Sequence, residues 1–292
     1  MDALAPRLPS PLTEVFDERF ARHGVRLLLK RDDLIHPDLV GNKWRKLVPT
    51  LRTATRTGQH TLLTFGGAYS NHLRATAAAG RLLGLSTIGV VRGEELADRP
   101  LNDSLARCAA DGMRLHFVTR AAYRHRDDPV WIARLRDRFG AFLLIPEGGS
   151  NVPAVRGVAE LGRELRGAAD VVAVACGTGG TLAGLAAGLA DDQRAIGFSA
   201  LRGGFLADRV ERLQEAAFGR RRGTWRVEDR FHCGGYARTT AALEAFARDF
   251  ADRHGLPAPD LTYVAKTLYG LTVLAAEGAF EPGTSVAAVV TG

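Results

Sequence analysis

The chain has 292 residues, 46% hydrophobic and 24% charged, an ordinary balance for a globular protein with room for one large domain or two modest ones. No apolar run reaches the roughly 18 to 20 residues that span a bilayer, and the net charge of +7 comes from scattered arginines with no basic run interleaved with aromatics. Neither membrane insertion nor nucleic-acid binding is therefore expected, and the arginine surplus reads as mostly solvated surface. Three widely separated cysteines, Cys108, Cys176 and Cys233, form no CxxC pair, so neither a disulfide framework nor a metal site is expected, and each reads as a buried small apolar residue.

The N-terminal stretch MDALAPRLPSPLTEVF lacks a basic segment followed by an apolar one, so no export signal is expected and the cytoplasm is the expected location. Short apolar runs predict strands at 25–30, 61–65, 86–91, 114–118, 141–145, 170–175, 194–199 and 285–290. Helical patterns fall between them, near 42–57, 71–83, 101–111, 129–139, 153–166, 181–190, 205–218, 239–254 and 267–276. Runs of Val, Ile and Leu without alternation suit strands buried on both faces, as in a parallel sheet covered by helices. The fold class is α/β, and with no repeat or linker any second domain must be an insertion.

Four glycine-bearing turns stand where a ligand of an open α/β sheet binds, beyond strand carboxyl ends. ACGTGGTLAGL (175–185) follows a strand and opens a helix, so its backbone amides and helix N-terminus suit a phosphate, although its spacing matches neither the dinucleotide nor the triphosphate motif. FGGAYSNHLR (65–74) places Ser70 as a helix cap and Asn71 as a side-chain amide for a polar ring substituent. PEGGSN (146–151) offers Ser150 or Asn151 as a cap. The fourth, VGNKWRKL (40–47), sets Lys43 in the first turn of a helix. Lysine occurs only at 30, 43, 46 and 266 of a chain that otherwise uses arginine. An amine can lose its proton and attack a carbonyl where a guanidinium cannot. A phosphate cradle, an asparagine-bearing loop and such a lysine together fit pyridoxal phosphate.

The order of these motifs, KRDDL and GNKxRKL, then GGxxSNHxR, PEGGSN, GTGGT, GGYARTTAALEAFARDF and YVAKTLYGL, covers nearly the whole chain. It resembles the tryptophan-synthase-β-like (fold type II) pyridoxal-phosphate-dependent enzymes, and most closely the 1-aminocyclopropane-1-carboxylate (ACC) deaminase and D-cysteine desulfhydrase family. The resemblance implies two three-layer α/β domains with mostly parallel sheets: a large cofactor-binding domain of residues 1–46 and 151–292 and a smaller inserted domain of 47–150, with the cofactor between them. It also implies a homodimer and a small amino-acid substrate. Lys43 would carry the cofactor, Asn71 would bond its phenolic oxygen, and Gly177, Thr178, Gly179, Gly180 and Thr181 would hold its phosphate. Ser70, Tyr236 and Tyr263 would face the substrate.

Two positions depart from the family pattern. ACC deaminases place a glutamate after the tyrosine of the YxxK block, at the pyridine nitrogen, and this chain has Val264 there, with Thr291 as a candidate substitute hydroxyl. Trp44 follows the lysine where relatives often have threonine, which would reshape the pocket. Valine cannot keep a pyridine nitrogen protonated, so D-cysteine desulfhydrase-like elimination is expected ahead of ACC deamination. Chemistry on L-serine derivatives, or binding of pyridoxal phosphate without turnover, are the remaining alternatives.

Overall fold

The computed structural model describes residues 2–39 and 41–292; Val40 of the VGNKWRKL stretch lies outside the described residues. Strands are β1 Leu12–Val15, β2 Arg26–Arg31, β3 Thr61–Gly66, β4 Ser86–Arg92, β5 Met113–Val118, β6 Leu143–Ile145, β7 Val171–Cys176, β8 Arg194–Ser199, β9 Thr224–Glu228 and β10 Ser285–Val290. Helices are α1 Glu18–Ala21, α2 Lys43–Arg56, α3 Asn71–Leu83, α4 Asp103–Ala110, α5 Arg120–Tyr123, α6 Pro129–Phe139, α7 Val152–Glu164, α8 Gly180–Gly188, α9 Leu206–Phe218, α10 Ala241–His254 and α11 Val264–Ala276.

The strands form two sheets. One has six strands in the order β1-β2-β10-β7-β8-β9, parallel except where β1 runs antiparallel to β2, and the other has four parallel strands in the order β5-β4-β3-β6. Period-two alternation splits the large sheet's residues between two cores. Leu28, Val172, Val174, Ala287 and Val289 pack with α7, α8 and α9, while Leu27, Leu29, Val171, Ala173, Val286 and Ala288 pack with α10 and α11. In the small sheet, Leu62 and Ile145 meet α2 and α3 on one face, and Leu63, Phe65 and Val90 meet Leu135 of α6 on the other.

The small sheet is drawn wholly from 61–145 and the large one from 12–31 and 171–290. We propose that this marks two domains. A boundary between residues 46 and 47 would cut α2, whose Leu47, Val48 and Leu51 belong to the small-sheet core, so the helix crosses from one unit to the other.

The carboxyl ends of β3, β4 and β6 turn toward those of β7 and β10. Residues at or just beyond these ends, Gly66–Gly67, Arg92, Glu147–Gly148, Ala175–Gly179 and Thr291–Gly292, line one cavity of about 680 Å³. No helix among the described residues is long and apolar enough to cross a membrane.

Candidate active site

Lys43 is the first residue of α2, two residues after Gly41, whose φ of +66° and close approach to the Thr291 carbonyl leave no room for a side chain. Asn42 precedes the helix without capping it. Its amide instead donates to Thr181 Oγ1 at 3.0 Å, and its oxygen accepts from Lys43 Nζ at 3.3 Å. Lys43 lines the cavity, and burial lowers its amine to about 8, against the opposing attraction of Asp260. Lys46, one turn later on the same face, donates to the Gly148 carbonyl and to Ser150 Oγ. Burial, then Lys43 and Arg209, push its pKa well down.

The glycine loop carries a helix start shaped for an anion. Gly179 caps α8 with φ of +79°, and the first amides of that helix have no intrahelical acceptors. Thr178 Oγ1 lies 2.6 Å from Ser150 Oγ, and a Cβ on Gly180 would meet Ser150 Oγ at 2.5 Å and Lys46 Nζ at 3.3 Å. Gly177, Thr178, Gly179 and Thr181 line the cavity. Gly180 does not: it packs beneath the loop against Ser150, where only a glycine fits.

Ser70 caps α3, its oxygen accepting from Leu73 N at 3.3 Å, so its own proton is free for a ligand. Asn71 Nδ2 donates to the Gly292 carbonyl at 2.9 Å, using one of two N–H groups. Tyr236 and Tyr263 face each other with centroids 6.3 Å apart, and the Tyr263 ring lies 3.4 Å from where a Gly177 Cβ would stand. Burial raises both phenols, which stay protonated at neutral pH. Thr291 is buried at the wall. The structure thus brings Lys43, Ser70, Asn71, Tyr236, Tyr263, Thr291 and four of the five loop residues to one cavity.

Three sequence readings need correction. Val264 is 3% exposed within the large-sheet core beside Leu268, so its side chain is not part of the cavity wall. Trp44 turns away too, its indole donating to the Leu4 carbonyl at 2.8 Å while the ring packs on the small-sheet core. Cys233 is half-buried in a loop with φ of +52°, not a core residue like Cys108 and Cys176. Of the arginine surplus, Arg92, Arg120, Arg124, Arg126 and Arg209 line the cavity.

Three further residues, given no role at the site by the sequence, support it. His72 Nε2 lies 2.7 Å from Thr64 Oγ1, whose proton goes to the Ile145 carbonyl at 2.8 Å. The ring must therefore carry its proton on Nε2, which leaves Nδ1 a bare, buried acceptor. Burial, with Lys43 and Lys46 nearby, keeps it neutral. Asp260 accepts from the amides of Thr262, Tyr263 and Val264 at 2.8–3.0 Å, holding Tyr263 at the head of α11. Lys266 donates to the carbonyls of His232 and Gly235 at 2.8 and 2.9 Å, fixing the loop that carries Tyr236. Positive φ at Cys233, Gly234, Gly235 and Ala237 marks that loop as one whose shape needs such an anchor.

The residues present fit pyridoxal phosphate. A helix N-terminus with Lys46 and Arg209 nearby suits its phosphate, a lysine poised near 8 suits its aldehyde, and the cavity volume exceeds what the cofactor alone needs. Comparison with known proteins agrees. A Pyrococcus horikoshii protein provisionally named 1-aminocyclopropane-1-carboxylate deaminase is 32% identical over 92% of this chain and 85% of its own. The mitochondrial bifunctional D-cysteine desulfhydrase/1-aminocyclopropane-1-carboxylate deaminase of Arabidopsis thaliana is 32% identical over 57% of this chain and 45% of its own length. The crystal structure of an ACC deaminase homologue superposes with a TM-score of 0.83 at 28% identity, covering 97% of this chain and 89% of that one. The two three-layer α/β units with mostly parallel sheets are those of the tryptophan-synthase-β-like fold type II. The family model described as "Pyridoxal-phosphate dependent enzyme" matches residues 7–292, and the chain belongs to that family, with pyridoxal phosphate as its cofactor.

Proposed function

We propose that the protein is a lyase acting on a small amino acid by β-elimination, in the manner of a D-cysteine desulfhydrase, releasing pyruvate, ammonia and sulfide. The observation that carries this reading is the charge of the cavity wall. Its one side-chain carboxylate among the described residues, Glu147, is engaged by the Tyr123 hydroxyl at 2.7 Å and lies 2.9 Å from Arg126 Nε. Bound pyridoxal phosphate supplies an electron-withdrawing ring conjugated to the substrate nitrogen. Opening the ring of ACC, which has no α-proton, demands the stronger withdrawal that a carboxylate at the pyridine nitrogen would sustain. Elimination begins with an acidic α-proton and demands less.

In this reading Lys43 carries the cofactor and, once free, takes the α-proton, as an amine with pKa near 8 can do at neutral pH. Asn71 uses its second N–H on the cofactor's phenolic oxygen. The loop from Gly177 to Thr181, with Lys46, holds the phosphate, and Thr291 offers a hydroxyl to the ring. Tyr236 and Tyr263, both protonated, serve with Ser70 as proton donors toward the substrate. The name of the Arabidopsis relative spans both reactions, so the test must separate them.

Oxo-acid release by the reconstituted protein, given D-cysteine, L-cysteine, L-serine and ACC in parallel, makes that separation. We expect pyruvate and sulfide from D-cysteine. Release of 2-oxobutanoate from ACC as the main product would instead make the protein an ACC deaminase, and silence with all four would leave a protein that binds the cofactor without these turnovers.

The amine of Lys43 also sets a pH dependence. A pKa lowered to about 8 means that the reactive neutral amine gains population up to that pH and is nearly complete about one to two units above it. Covalent capture of pyridoxal phosphate by the apoprotein, followed by visible absorbance, is expected to accelerate through pH 8 and level off. A rate still climbing at pH 10 would mean that burial does not act on this lysine.

A further inference from the structure

The cavity has more positive charge than its proposed cofactor and a simple amino acid can use. Its phosphate end is served by the α8 N-terminus, Lys46 and Arg209. A second set of arginines comes from the small-sheet wall: Arg92 ends β4, and Arg124 and Arg126 follow α5. Arg92 Nη2 lies 3.4 Å from where a Cβ on Gly67 would stand, and the Tyr236 ring lies 3.7 Å from the same point. The Arg92 guanidinium is thus next to the tyrosine proposed to face the substrate. It stands 5.7 Å from the centre of the Tyr123 ring, and Arg126 stands 5.4 Å from the same ring.

Two of these three cations lack an anionic partner among the described residues, and the third, Arg126, has Glu147 at 2.9 Å and Asp127 at 3.8 Å. Arg92 and Arg124 make no ion pair among the described residues. Arg126 Nε is buried without hydrogen-bond geometry toward any partner, although Glu147 Oε2 is 2.9 Å away. A partly desolvated guanidinium without an anion is costly, and the cost falls when an anion with matching geometry arrives. The α-carboxylate of an amino acid has a place at the head of α3, where the Ser70 hydroxyl proton and the amides of Asn71 and His72 are free.

We propose that Arg92, with Arg124 and Arg126, forms a second anion subsite that receives a negatively charged group on the substrate's side chain, so that the preferred amino acids carry a side-chain carboxylate or phosphate-like group. The inference rests on the reading of the cavity as an amino-acid site and names its substrate class. Cysteine, whose side chain is neutral at pH 7, would then be a compact surrogate that leaves this subsite empty.

The test is calorimetric titration of the holoenzyme with amine-free acids, which report on the subsite whether or not any amino acid turns over. Succinate and 3-phosphonopropionate each present a second anion, one a carboxylate and one a phosphonate, and butyrate presents none. Both dianions are expected to bind at least about tenfold more tightly than butyrate, the effect of one charge-assisted hydrogen bond. Arg92→Gln is expected to erase that difference, and Arg124→Gln, on an exposed turn where folding is not at stake, to reduce it. The tighter of the two dianions tells which group the subsite takes.

Equal binding of all three acids by the native protein would overturn the proposal. So would an Arg92→Gln protein that weakens butyrate and the dianions alike, which would make Arg92 the α-carboxylate clamp. Selective dianion binding with no turnover of any amino acid would uphold the subsite while removing the lyase reading.

Discussion

Replacing Lys43 with alanine is expected to abolish the visible absorbance of lysine-bound pyridoxal phosphate and to lower turnover by roughly 10²–10⁴-fold, the usual contribution of a positioned proton-transfer group. The fold should survive. Lys43 makes one side-chain hydrogen bond, 3.3 Å to its neighbour Asn42, and its burial disfavours the charged amine. Removing it therefore relieves a desolvation penalty and gives up one long hydrogen bond to the Asn42 oxygen, while the Asn42 amide keeps its bond to Thr181. Lys46 is the competing amine, buried three residues on, and it is held by Gly148 and Ser150 beneath the glycine loop. Borohydride reduction of the native holoenzyme, followed by peptide mass spectrometry, is expected to place the added mass on Lys43 alone. A cofactor mass on Lys46, or an unchanged visible spectrum in Lys43→Ala, would move the attachment point and refute the assignment.

The four lysines show how much of this site could be read from residues alone. Scarcity singled out Lys43, and the structure extends the point, since Lys30, Lys46 and Lys266 are each 2% exposed or less. Each donates to backbone carbonyl oxygen: Lys30 to Ser10, Lys46 to Gly148, and Lys266 to His232 and Gly235. A compact ammonium serves converging oxygens that a planar guanidinium would overfill. What the sequence could not supply was which carbonyls those would be, because they lie 20 to 102 residues away or come from irregular loops.

The parallel strands were legible because burial on both faces leaves continuous apolar runs, as at Val171–Cys176. β1 and β9 were not. Leu12–Val15 is largely exposed and Thr224–Glu228 alternates buried and open positions, as befits the edges of the large sheet, so neither shows an apolar run. Val264 shows the limit of reading by motif. Its place after the tyrosine of the YxxK block pointed to the ring nitrogen, but the backbone at the head of α11, bound by Asp260, sends that side chain into the core. The arginine wall was hidden for a different reason: Arg92 and Arg124 are 32 residues apart in a chain full of arginine, and only the sheet brings them to one cavity.

The largest expected loss of stability is at Arg45, two residues beyond Lys43. Its guanidinium is 1% exposed and grips two carboxylates, Asp32 at 2.9 and 3.0 Å and Glu164 at 2.8 and 2.9 Å. Lys30 reaches Glu164 at 2.7 Å, and Ser10 Oγ donates to Asp32 at 2.7 Å, so two cations and two anions close a neutral buried network. The network ties the N-terminal segment, the end of β2, α2 and α7 together, and so fixes the rotation of α2 that turns Lys43 and Lys46 toward the cavity. Arg45→Met keeps most of the volume but leaves Asp32 and Glu164 without their main partner. A buried pair broken on one side costs about 3–5 kcal/mol, a large share of a typical domain's 5–15 kcal/mol. Urea unfolding of the apoprotein is expected to show that loss as a lowered midpoint. Adding Asp32→Asn to Arg45→Met should recover part of it, because one orphaned charge is then removed, whereas additive losses would mean that the two residues do not act as a pair. A loss below about 1 kcal/mol for Arg45→Met, the size of an exposed pair, would show that water reaches the network and that α2 is held by its apolar face alone.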